Sequence, residues 1–346
     1  MNHTSFRAIL VNEKEGIQFE RTFVEREIND LPEGEVLIRV HYSSLNYKDA
    51  LSATGNKGVT RKYPHTPGID AAGEVISSQD PSFKKGNQVI VTGYDLGMNT
   101  SGGFGQYIRV PASWVVPLPE GLSLKESMMY GTAGFTAALS VHKLITSGIT
   151  PDMGKILVTG ATGGVGSVAV SILARLGYEV VAATGKTEEK EMMLHLGAKE
   201  IIHRDEMNDQ SGKTMLKGIY AGVIDTVGGN TLATALKVIQ YGGSVTTCGN
   251  VAGHEFKTSV YPFILRGINL LGIDSVQCPM ALRKKIWSML GNEWKNLNLL
   301  PYTTECTLEE LNDKFEPILQ GKLKGRTIVN VLTQGTEDPM KNVLQD

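Results

Sequence analysis

Four glycines, at positions 160, 163, 164 and 166, form the stretch of this sequence whose residue types and spacing point most directly to chemistry. An apolar run at 156–158 precedes them, and a helical pattern begins at Ser167. Because glycine tolerates unusual backbone angles and has no side chain, backbone N–H groups and the start of the helix can approach a pyrophosphate. The spacing differs from the strict G-x-G-x-x-G pattern, so a glycine-rich turn without a ligand is the alternative. The succession of strand, glycines and helix favours a dinucleotide-binding turn.

The end of the next predicted strand, at 179–184, indicates which dinucleotide would bind. Sites that prefer NAD carry an Asp or Glu there, which holds the ribose 2′-hydroxyl. In this sequence the strand ends in Thr184, Gly185 and Lys186, and no acid occupies that place. A lysine attracts the 2′-phosphate that an acid would repel, and Arg204 is a second candidate ligand for the phosphate. The sequence therefore favours NADPH over NADH, with an ordinary surface charge as the alternative role for Lys186 and Arg204.

Length and composition limit the class of protein. A chain of 346 residues has room for about two domains. The net charge of -2, without a long basic run, gives no support to a nucleic-acid or membrane partner. The sequence has neither a long apolar span nor the apolar core of a signal peptide, so we expect a cytoplasmic protein. The cysteines at 248, 278 and 306 lie too far apart for a zinc or disulfide pattern.

Two patterns of elements divide the chain. Short strands with Gly and Pro between them, up to residue 122, are typical of a compact β-barrel. A helix at 125–142 and then alternating strands and helices predict a doubly wound parallel sheet. Its strands are expected at 156–159, 179–184, 200–202, 222–226, 243–248 and 268–273. A last strand at 327–331 has the character of the first part. We therefore predict one domain from 1–122 with 305–346 returning to it, and a second domain from 123–304.

Several segments together resemble one enzyme family far more specifically than the glycine turn does. They read SSLNYKDA at 43–50, GTAGFTA at 131–137, YPFILRG at 261–267, GIDSV at 272–276 and GR at 325–326. From about residue 6 to residue 331 the chain resembles the medium-chain dehydrogenase/reductase superfamily. Within it, the segments are similar to the quinone oxidoreductase-like branch, and most to its acryloyl-CoA reductases. The resemblance implies an α/β protein with a GroES-like β-barrel catalytic domain and a Rossmann domain.

One segment bears on the zinc found elsewhere in this superfamily. Zinc alcohol dehydrogenases carry Gly-His-Glu with the histidine as a ligand, whereas the matching residues here are Gly68, Ile69 and Asp70. No cysteine precedes Cys248, so the cysteine ligand and the four-cysteine structural lobe are absent as well. A catalytic zinc needs N, S or O donors from the protein. We therefore predict a zinc-independent reductase without a metal site.

Without zinc, other groups must stabilise the negative charge that develops when an activated C=C bond is reduced. Hydrogen-bond donors aimed at the carbonyl oxygen are the usual solution, and a proton must also reach the α carbon. We expect Asn46 and Tyr47, within the polar cluster at 46–49, to be the catalytic residues. The resemblance also makes Tyr47 a contact of the nicotinamide, with a packed aromatic side chain as the alternative. For Asp49 we prefer a role as cap of the following helix.

The resemblance implies a set of residues that contact NADPH. They are Tyr47, Thr162, Gly163, Gly164, Val165, Thr184, Gly185, Lys186, Arg204, Asn250, Ile264 and Ser275. Arg326 is expected to approach the cofactor or the substrate, with a surface arginine as the alternative; for Asn250 and Ser275 the alternative is a turn residue. Lysine at 186, where much of the branch has arginine, keeps the charge but loses the bidentate geometry, which weakens the preference for NADPH. The basic run at 283–285 is expected to be a solvated helix face.

These observations leave three functions. The first is an NADPH-dependent reductase that converts acryloyl-CoA to propanoyl-CoA. The second is an NADPH-dependent reductase of quinones or other enones, and the third is an NADPH-binding protein without catalytic activity. The segment 260–276 resembles the edge through which the family forms dimers, so we expect a homodimer. The tail at 335–346 extends beyond the usual end of the family and has no assigned role.

Overall fold

The computed structural model describes residues 5–15 and 18–332, so the tail at 335–346 lies outside the described residues. The chain folds into two compact units. Unit 1 comprises Met1–Thr132, Val276–Lys285 and Thr303–Asp346, and unit 2 comprises Ala133–Ser275 and Ile286–Tyr302. The domain boundaries at 122/123 and 304/305 stay a prediction from the sequence.

Strands and helices follow one another along the described residues in a regular order. The strands are β1 (Ser5–Lys14), β2 (Gln18–Glu27), β3 (Val36–Ser44), β4 (Asp70–Ser78), β5 (Gln88–Thr92), β6 (Tyr107–Val110), β7 (Val115–Pro117), β8 (Ile156–Thr159), β9 (Val180–Thr184), β10 (Glu200–His203), β11 (Tyr220–Asp225), β12 (Ile239–Thr247), β13 (Asn269–Gly272), β14 (Thr303–Thr307) and β15 (Arg326–Asn330). The α-helices are α1 (Tyr47–Ala53), α2 (Leu124–Thr146), α3 (Gly164–Arg175), α4 (Lys190–His195), α5 (Gly229–Val238), α6 (Tyr261–Arg266), α7 (Met280–Gly291), α8 (Leu308–Leu311) and α9 (Phe315–Leu319). The chain passes between the units within α2 and within α7. No helix of the described residues is long and apolar enough to cross a membrane.

Unit 1 is organised around a mostly antiparallel sheet. Its strands lie in the order β14-β15-β3-β4-β5-β7, with β6 also paired to β3, and β1 and β2 form a separate antiparallel pair. Strand β3 lies near the middle because its β-branched and aliphatic residues suit a buried pleated surface. Its core includes the side chains of Ile38 on β3 and Val329 on β15, together with Phe104 from the segment before β6. The sheet thereby brings the end of β3 and the starts of β15 and β4 close together.

Unit 2 contains the predicted parallel sheet. Its six strands are parallel and lie in the order β10-β9-β8-β11-β12-β13. Counted from β8, this is the order 3-2-1-4-5-6 of a Rossmann fold, in which ligands bind outside the carboxyl ends of the strands. Strands β8, β9 and β11 are buried along their whole length, as expected when helices cover both faces. The switch point of this sheet lies between β8 and β11.

One strand prediction and one surface prediction need comment. Strand β12 begins four residues before the predicted start, because it continues through Gly242 at a φ of +72°. The prediction of a solvated face at 283–285 is wrong for Arg283, which is fully buried. Its guanidinium donates to the carbonyl oxygen of Thr92 at 2.7 Å and lies 4.5 Å from the ring centre of Tyr94. Lys284 and Lys285 are exposed, since a helix turns successive residues to different sides.

Candidate active site

The glycine-rich turn connects β8 to the start of α3. Gly160 has a φ of +59°, a backbone conformation that residues other than glycine rarely adopt. A Cβ atom on Gly166 would lie 2.3 Å from the carbonyl oxygen of Gly160, so only glycine fits at position 166 of this turn. Gly163 is the N-cap of this 12-residue helix, and as a glycine it has no side chain with which to cap the first-turn N–H groups. These groups and the helix dipole make the turn suitable for an anion.

The predicted phosphate ligands lie at the neighbouring strand ends. The hydroxyl oxygens of Thr162 and Thr184 are 3.1 Å apart, and Thr184 accepts a hydrogen bond from the N–H of Lys186 at 3.0 Å. A Cβ atom on Gly185 would meet the side chain of Arg204 at 2.7 Å. Strands β9 and β10 are adjacent, so Arg204, directly after β10, comes to lie against Gly185, directly after β9. The structure therefore brings these five residues together at one edge of the sheet.

The remaining predicted contacts of unit 2 are spread more widely. Asn250 is exposed and lies three residues beyond the end of β12, and half-buried Ser275 lies three residues beyond the end of β13. Both are therefore at the carboxyl edge of the sheet. Ile264 lies on α6 and is 67% exposed.

Asp225, at the end of β11, is a buried residue at the switch point that the sequence analysis did not single out. Its carboxylate accepts hydrogen bonds from the hydroxyl of Thr159 at 2.8 Å and from the N–H of Gly228 at 3.0 Å. Burial raises the pKa of Asp225, although the donors oppose this shift. Burial also raises the pKa of Cys248 to about 12, which keeps this thiol protonated. The available sequence signal was an acid at the end of an apolar strand, three residues before the pair of glycines at 228–229.

A second polar cluster is buried in unit 1, centred on Asp70 at the start of β4. Its carboxylate accepts from the hydroxyl of Ser44 at 2.5 Å and from the amide nitrogen of Asn46 at 2.8 Å. It also accepts from the N–H and the hydroxyl of Thr132 at 2.9 and 2.5 Å. A buried carboxylate is tolerable only with such partners, because it has lost its hydration.

Arg326 supplies the positive charge of this cluster. The guanidinium donates to the hydroxyl of Ser44 at 2.8 Å and to the carbonyl oxygen of Met129 at 3.0 Å. The alternative of a surface arginine is wrong, since Arg326 is only 3% exposed. Burial lowers its pKa, while Asp70 and Asp49 act in the opposite direction. Contact with a cofactor or substrate stays a prediction for this residue.

Asp49 and Asn46 fix the start of α1. Asn46 is the N-cap, and the carboxylate of Asp49, three residues on, accepts its backbone N–H at 2.8 Å. Asp49 thus helps to cap the helix from its third position, and it also accepts the N–H of Ile69 at 2.8 Å. Burial, and then the charge of Asp70, raise the pKa of Asp49 to about 7. The first residue of the helix, Tyr47, is held in place by this capping.

Asn46 and Tyr47 differ in what they can offer to a substrate. The Asn46 amide nitrogen donates to Asp70 and to the carbonyl oxygen of Ser44, and its amide oxygen lies 3.5 Å from the Arg326 guanidinium. Its polar atoms are therefore engaged inside unit 1. Tyr47 is 40% exposed. The arrangement suits Asn46 as a positioning group and Tyr47 as the group that reaches a ligand; the catalytic role of both stays a prediction.

Helix α2 is interrupted at Gly131 to complete the cluster. The predicted helix is present, but Gly131 has a φ of 51° and a ψ of -156°, which are not helical angles. A Cβ atom there would lie 2.4 Å from the hydroxyl oxygen of Ser44 and 2.5 Å from a carboxylate oxygen of Asp70. Because the backbone turns at Gly131, the N–H of Thr132 can bind Asp70 instead of a helical carbonyl.

Comparison with known proteins agrees with this architecture. The family described as "Alcohol dehydrogenase GroES-like domain" matches residues 32–120, and the family described as "Zinc-binding dehydrogenase" matches residues 164–290. The chain is 50% identical over 303 residues to a protein named putative quinone oxidoreductase YhfP from Bacillus subtilis, covering 87% of this chain and 92% of that protein. It is 44% identical over 327 residues to acrylyl-CoA reductase AcuI from Ruegeria pomeroyi, covering 94% of this chain and 99% of that protein.

Two solved structures are similar to this chain over nearly its whole length. The yhdH oxidoreductase from Salmonella enterica in complex with NADP matches with a TM-score of 0.91 and 41% identity, covering 94% of this chain and all of that chain. Bacillus subtilis yhfP with NAD bound matches with a TM-score of 0.92 and 47% identity, covering 95% of this chain and all of that chain.

A Rossmann sheet with a glycine-rich turn, joined to a GroES-like unit, defines a dinucleotide-dependent oxidoreductase. The chain belongs to the medium-chain dehydrogenase/reductase superfamily, in the branch whose members are named quinone oxidoreductases and acrylyl-CoA reductases. The predicted fold class and family are thereby confirmed. Within residues 5–15 and 18–332, no group of three or more His, Cys, Asp or Glu could hold a metal ion. Independence of zinc stays a prediction from the residues at 68–70.

We expect Gly131→Ala to destabilise unit 1 strongly. The new Cβ would disturb Ser44 and Asp70 and force an unfavourable φ, which together should lower the free energy of unfolding by about 3 to 5 kcal/mol. Urea unfolding followed by circular dichroism measures the effect. Gly86→Ala is the matched control, because Gly86 has a φ of +88° in unit 1 but its nearest neighbour would be 3.9 Å away. Equal losses in the two variants would contradict this role of Gly131.

Proposed function

We propose that this protein is an NADPH-dependent reductase of activated C=C bonds that converts acryloyl-CoA to propanoyl-CoA. The observation that carries the proposal is the SSLNYKDA segment, in which buried partners hold the side chains around one exposed phenol, that of Tyr47. The relative named acrylyl-CoA reductase, which matches almost end to end, supports the same substrate.

The residues at the carboxyl edge of unit 2 fit NADPH. The turn closes around Gly160 and Gly166 and has N–H donors for a pyrophosphate. The end of β9 has no acid and has two cations beside it, which suits a 2′-phosphate. We propose that the contacts of unit 2 are Thr162, Gly163, Gly164, Val165, Thr184, Gly185, Lys186, Arg204, Asn250, Ile264 and Ser275.

The chain's own residues would supply what the reduction needs besides a hydride. When bound, NADPH would supply that hydride to the β carbon of the thioester. Negative charge then develops on the thioester oxygen, and the α carbon takes up one proton to complete the saturated product. We propose that the phenol of Tyr47, as part of its contact with cofactor and substrate, donates to this charge or supplies the proton.

The buried cluster of unit 1 would act on Tyr47 through Asn46. The Asn46 amide is held between Asp70 and Arg326, and its backbone N–H is held by Asp49. Asn46 and Arg326 would thus fix the position of Tyr47 at the start of α1. Such fixed donors lose little free energy to reorganisation during the reaction.

A quinone or enone reductase is the second candidate, favoured by the 50% identity with a protein named putative quinone oxidoreductase. An NADPH-binding protein without catalysis is the third. The cytoplasmic location expected from the sequence belongs to this proposal, and cell fractionation would test it.

We also propose a homodimer formed at the β13 edge of unit 2. Strand β13 is the last of its sheet, and an open edge invites a second strand. The adjacent helix and its start expose a group of apolar side chains: Val260, Tyr261, Ile264 and Leu265. An exposed apolar group of this size is typical of a protein interface.

Turnover with acryloyl-CoA should exceed turnover with a simple benzoquinone when NADPH oxidation is followed by its absorbance. Tyr47→Phe should lower kcat with acryloyl-CoA by about 100-fold, as expected for loss of a general acid, with little change in NADPH affinity. Comparable or faster reduction of the quinone would favour the second candidate. Tight NADPH binding without turnover of either substrate would favour the third.

Arg204→Ala should weaken NADPH binding by about tenfold and leave NADH binding almost unchanged, because one charge-assisted contact to the 2′-phosphate is lost. Fluorescence titration with each dinucleotide measures both affinities. Lys199→Ala is the charge-matched control, since exposed Lys199 precedes β10 and lies at the opposite edge of the sheet. If Arg204→Ala weakened both dinucleotides equally, a phosphate contact would be ruled out.

The native protein should have twice the mass of its 37.5 kDa chain in solution. Leu265→Glu should shift it to the monomer, because it puts a charge into the apolar group. Light scattering after gel filtration gives the mass. Leu194→Glu, at an exposed apolar position on α4, should leave the dimer intact. A monomeric native protein would overturn the dimer.

A further inference from the structure

The carboxylate of Asp225 connects three neighbouring strand ends of unit 2. It accepts from the hydroxyl of Thr159, the last residue of β8, at 2.8 Å, and from the hydroxyl of Thr247, the last residue of β12, at 3.3 Å. It also accepts the N–H groups of Val227 at 3.3 Å and Gly228 at 3.0 Å, in the loop after its own strand β11. One buried group therefore has partners on both sides of the switch point.

On the β8 side, these contacts reach the glycine-rich turn. Thr159 directly precedes Gly160, the first glycine of the turn. The hydroxyl of Thr226 donates to the carbonyl oxygen of Thr159 at 2.9 Å, and the N–H of Thr226 donates to the Thr159 hydroxyl at 3.1 Å. A Cβ atom on Gly160 would lie 2.4 Å from the Thr226 hydroxyl oxygen. The turn and the loop after β11 are thus fixed against each other.

On the β12 side, the contacts reach the loop that carries Asn250. The N–H of Cys248 donates to the carbonyl oxygen of Asp225 at 3.1 Å, and the N–H of Ala252 donates to that of Val227 at 2.9 Å. A Cβ atom on Gly249 would lie 1.9 Å from the carbonyl oxygen of Thr226, so the two loops touch through their backbones. The backbone of Asn250 has little freedom to move independently of the loop after β11.

Burial makes this carboxylate costly, since desolvation raises its pKa in spite of all its donors. A core residue that served stability alone would more simply be apolar. The arrangement instead suits a group that holds neighbouring loops in one mutual position.

We propose that Asp225 is a positioning residue for NADPH, which fixes the glycine-rich turn after β8 and the Asn250 loop after β12 in the arrangement that binds the dinucleotide. The inference rests on the proposed placement of NADPH at this edge of unit 2. It does not depend on whether a thioester or a quinone is reduced. Asp225 itself touches neither the cofactor nor the reacting atoms in this proposal.

Asp225→Asn tests the inference, because the amide keeps the shape of the side chain but turns one acceptor into a donor. The Kd for NADPH, measured by fluorescence titration, should rise by about tenfold as the loops lose their fixed arrangement. At saturating NADPH, kcat should be measured with acryloyl-CoA or benzoquinone, whichever substrate the native protein reduces faster. This kcat should stay within about twofold of the native value, because the reacting groups are untouched. Thr159→Val and Thr247→Val each remove one hydrogen bond and should raise the Kd by about threefold.

Thr246→Val is the matched control. Buried Thr246 lies in the same strand, but its hydroxyl donates to the carbonyl oxygen of Val223 at 3.4 Å and not to Asp225. This variant should keep the native Kd. If Asp225→Asn does not yield folded protein, Thr159→Val and Thr247→Val decide the question by the same measurement.

A native Kd for NADPH in folded Asp225→Asn would overturn the inference, and a lower Tm with an unchanged Kd would mean that Asp225 serves stability alone. A fall in kcat at saturating NADPH would also contradict it, since the residue would then act on the chemical step. Arg204→Ala distinguishes a failure of the positioning role of Asp225 from a failure of the proposed placement of NADPH. If Arg204→Ala weakens NADPH and Asp225→Asn does not, only the positioning role fails; if neither does, the placement of NADPH fails with it.

Discussion

The arrangement of unit 1 depends on supplying hydrogen-bond partners to the buried carboxylate of Asp70. A buried carboxylate without partners is prohibitively unfavourable, and loss of one partner from a buried ionic group costs about 3 to 5 kcal/mol. Ser44 links the two charged groups, since its hydroxyl donates to Asp70 and accepts from Arg326. The end of β3, the start of α1, the break in α2 and the start of β15 must therefore all meet at the start of β4. The segment that begins α1 has its position set by this requirement.

Unit 2 uses a similar device. Asp225 lies at the end of a fully buried strand, and the donors that its carboxylate has among the described residues are hydroxyls and backbone N–H groups. In both units a buried carboxylate is satisfied by donors from several strand or helix ends, and each such donor becomes fixed in direction. Surface loops cannot achieve the same precision by apolar packing alone, because apolar contacts have no preferred direction.

The segment at 68–70 illustrates how the same region of this superfamily can serve different chemistry. In zinc alcohol dehydrogenases, by resemblance, the middle position carries a metal ligand. Here Ile69 is buried, and its backbone N–H binds Asp49, while Asp70 is the centre of the polar cluster. The segment thus contributes to the fixed position of Asn46 and Tyr47.

Some features of this protein follow from local patterns in its sequence. Apolar runs, glycine spacing and the missing acid after β9 predicted the Rossmann unit, a dinucleotide-binding edge and NADPH as the cofactor, because strand, turn and helix preferences act between residues close in the chain. The partners of the buried charges became apparent only in the folded chain. Ser44 and Arg326 are 282 positions apart, and Thr132 and Asp70 are 62 positions apart. No local pattern distinguishes a buried arginine such as Arg326 or Arg283 from a surface one, and none predicts the break of α2 at Gly131, since burial and close approach arise only when distant segments pack together.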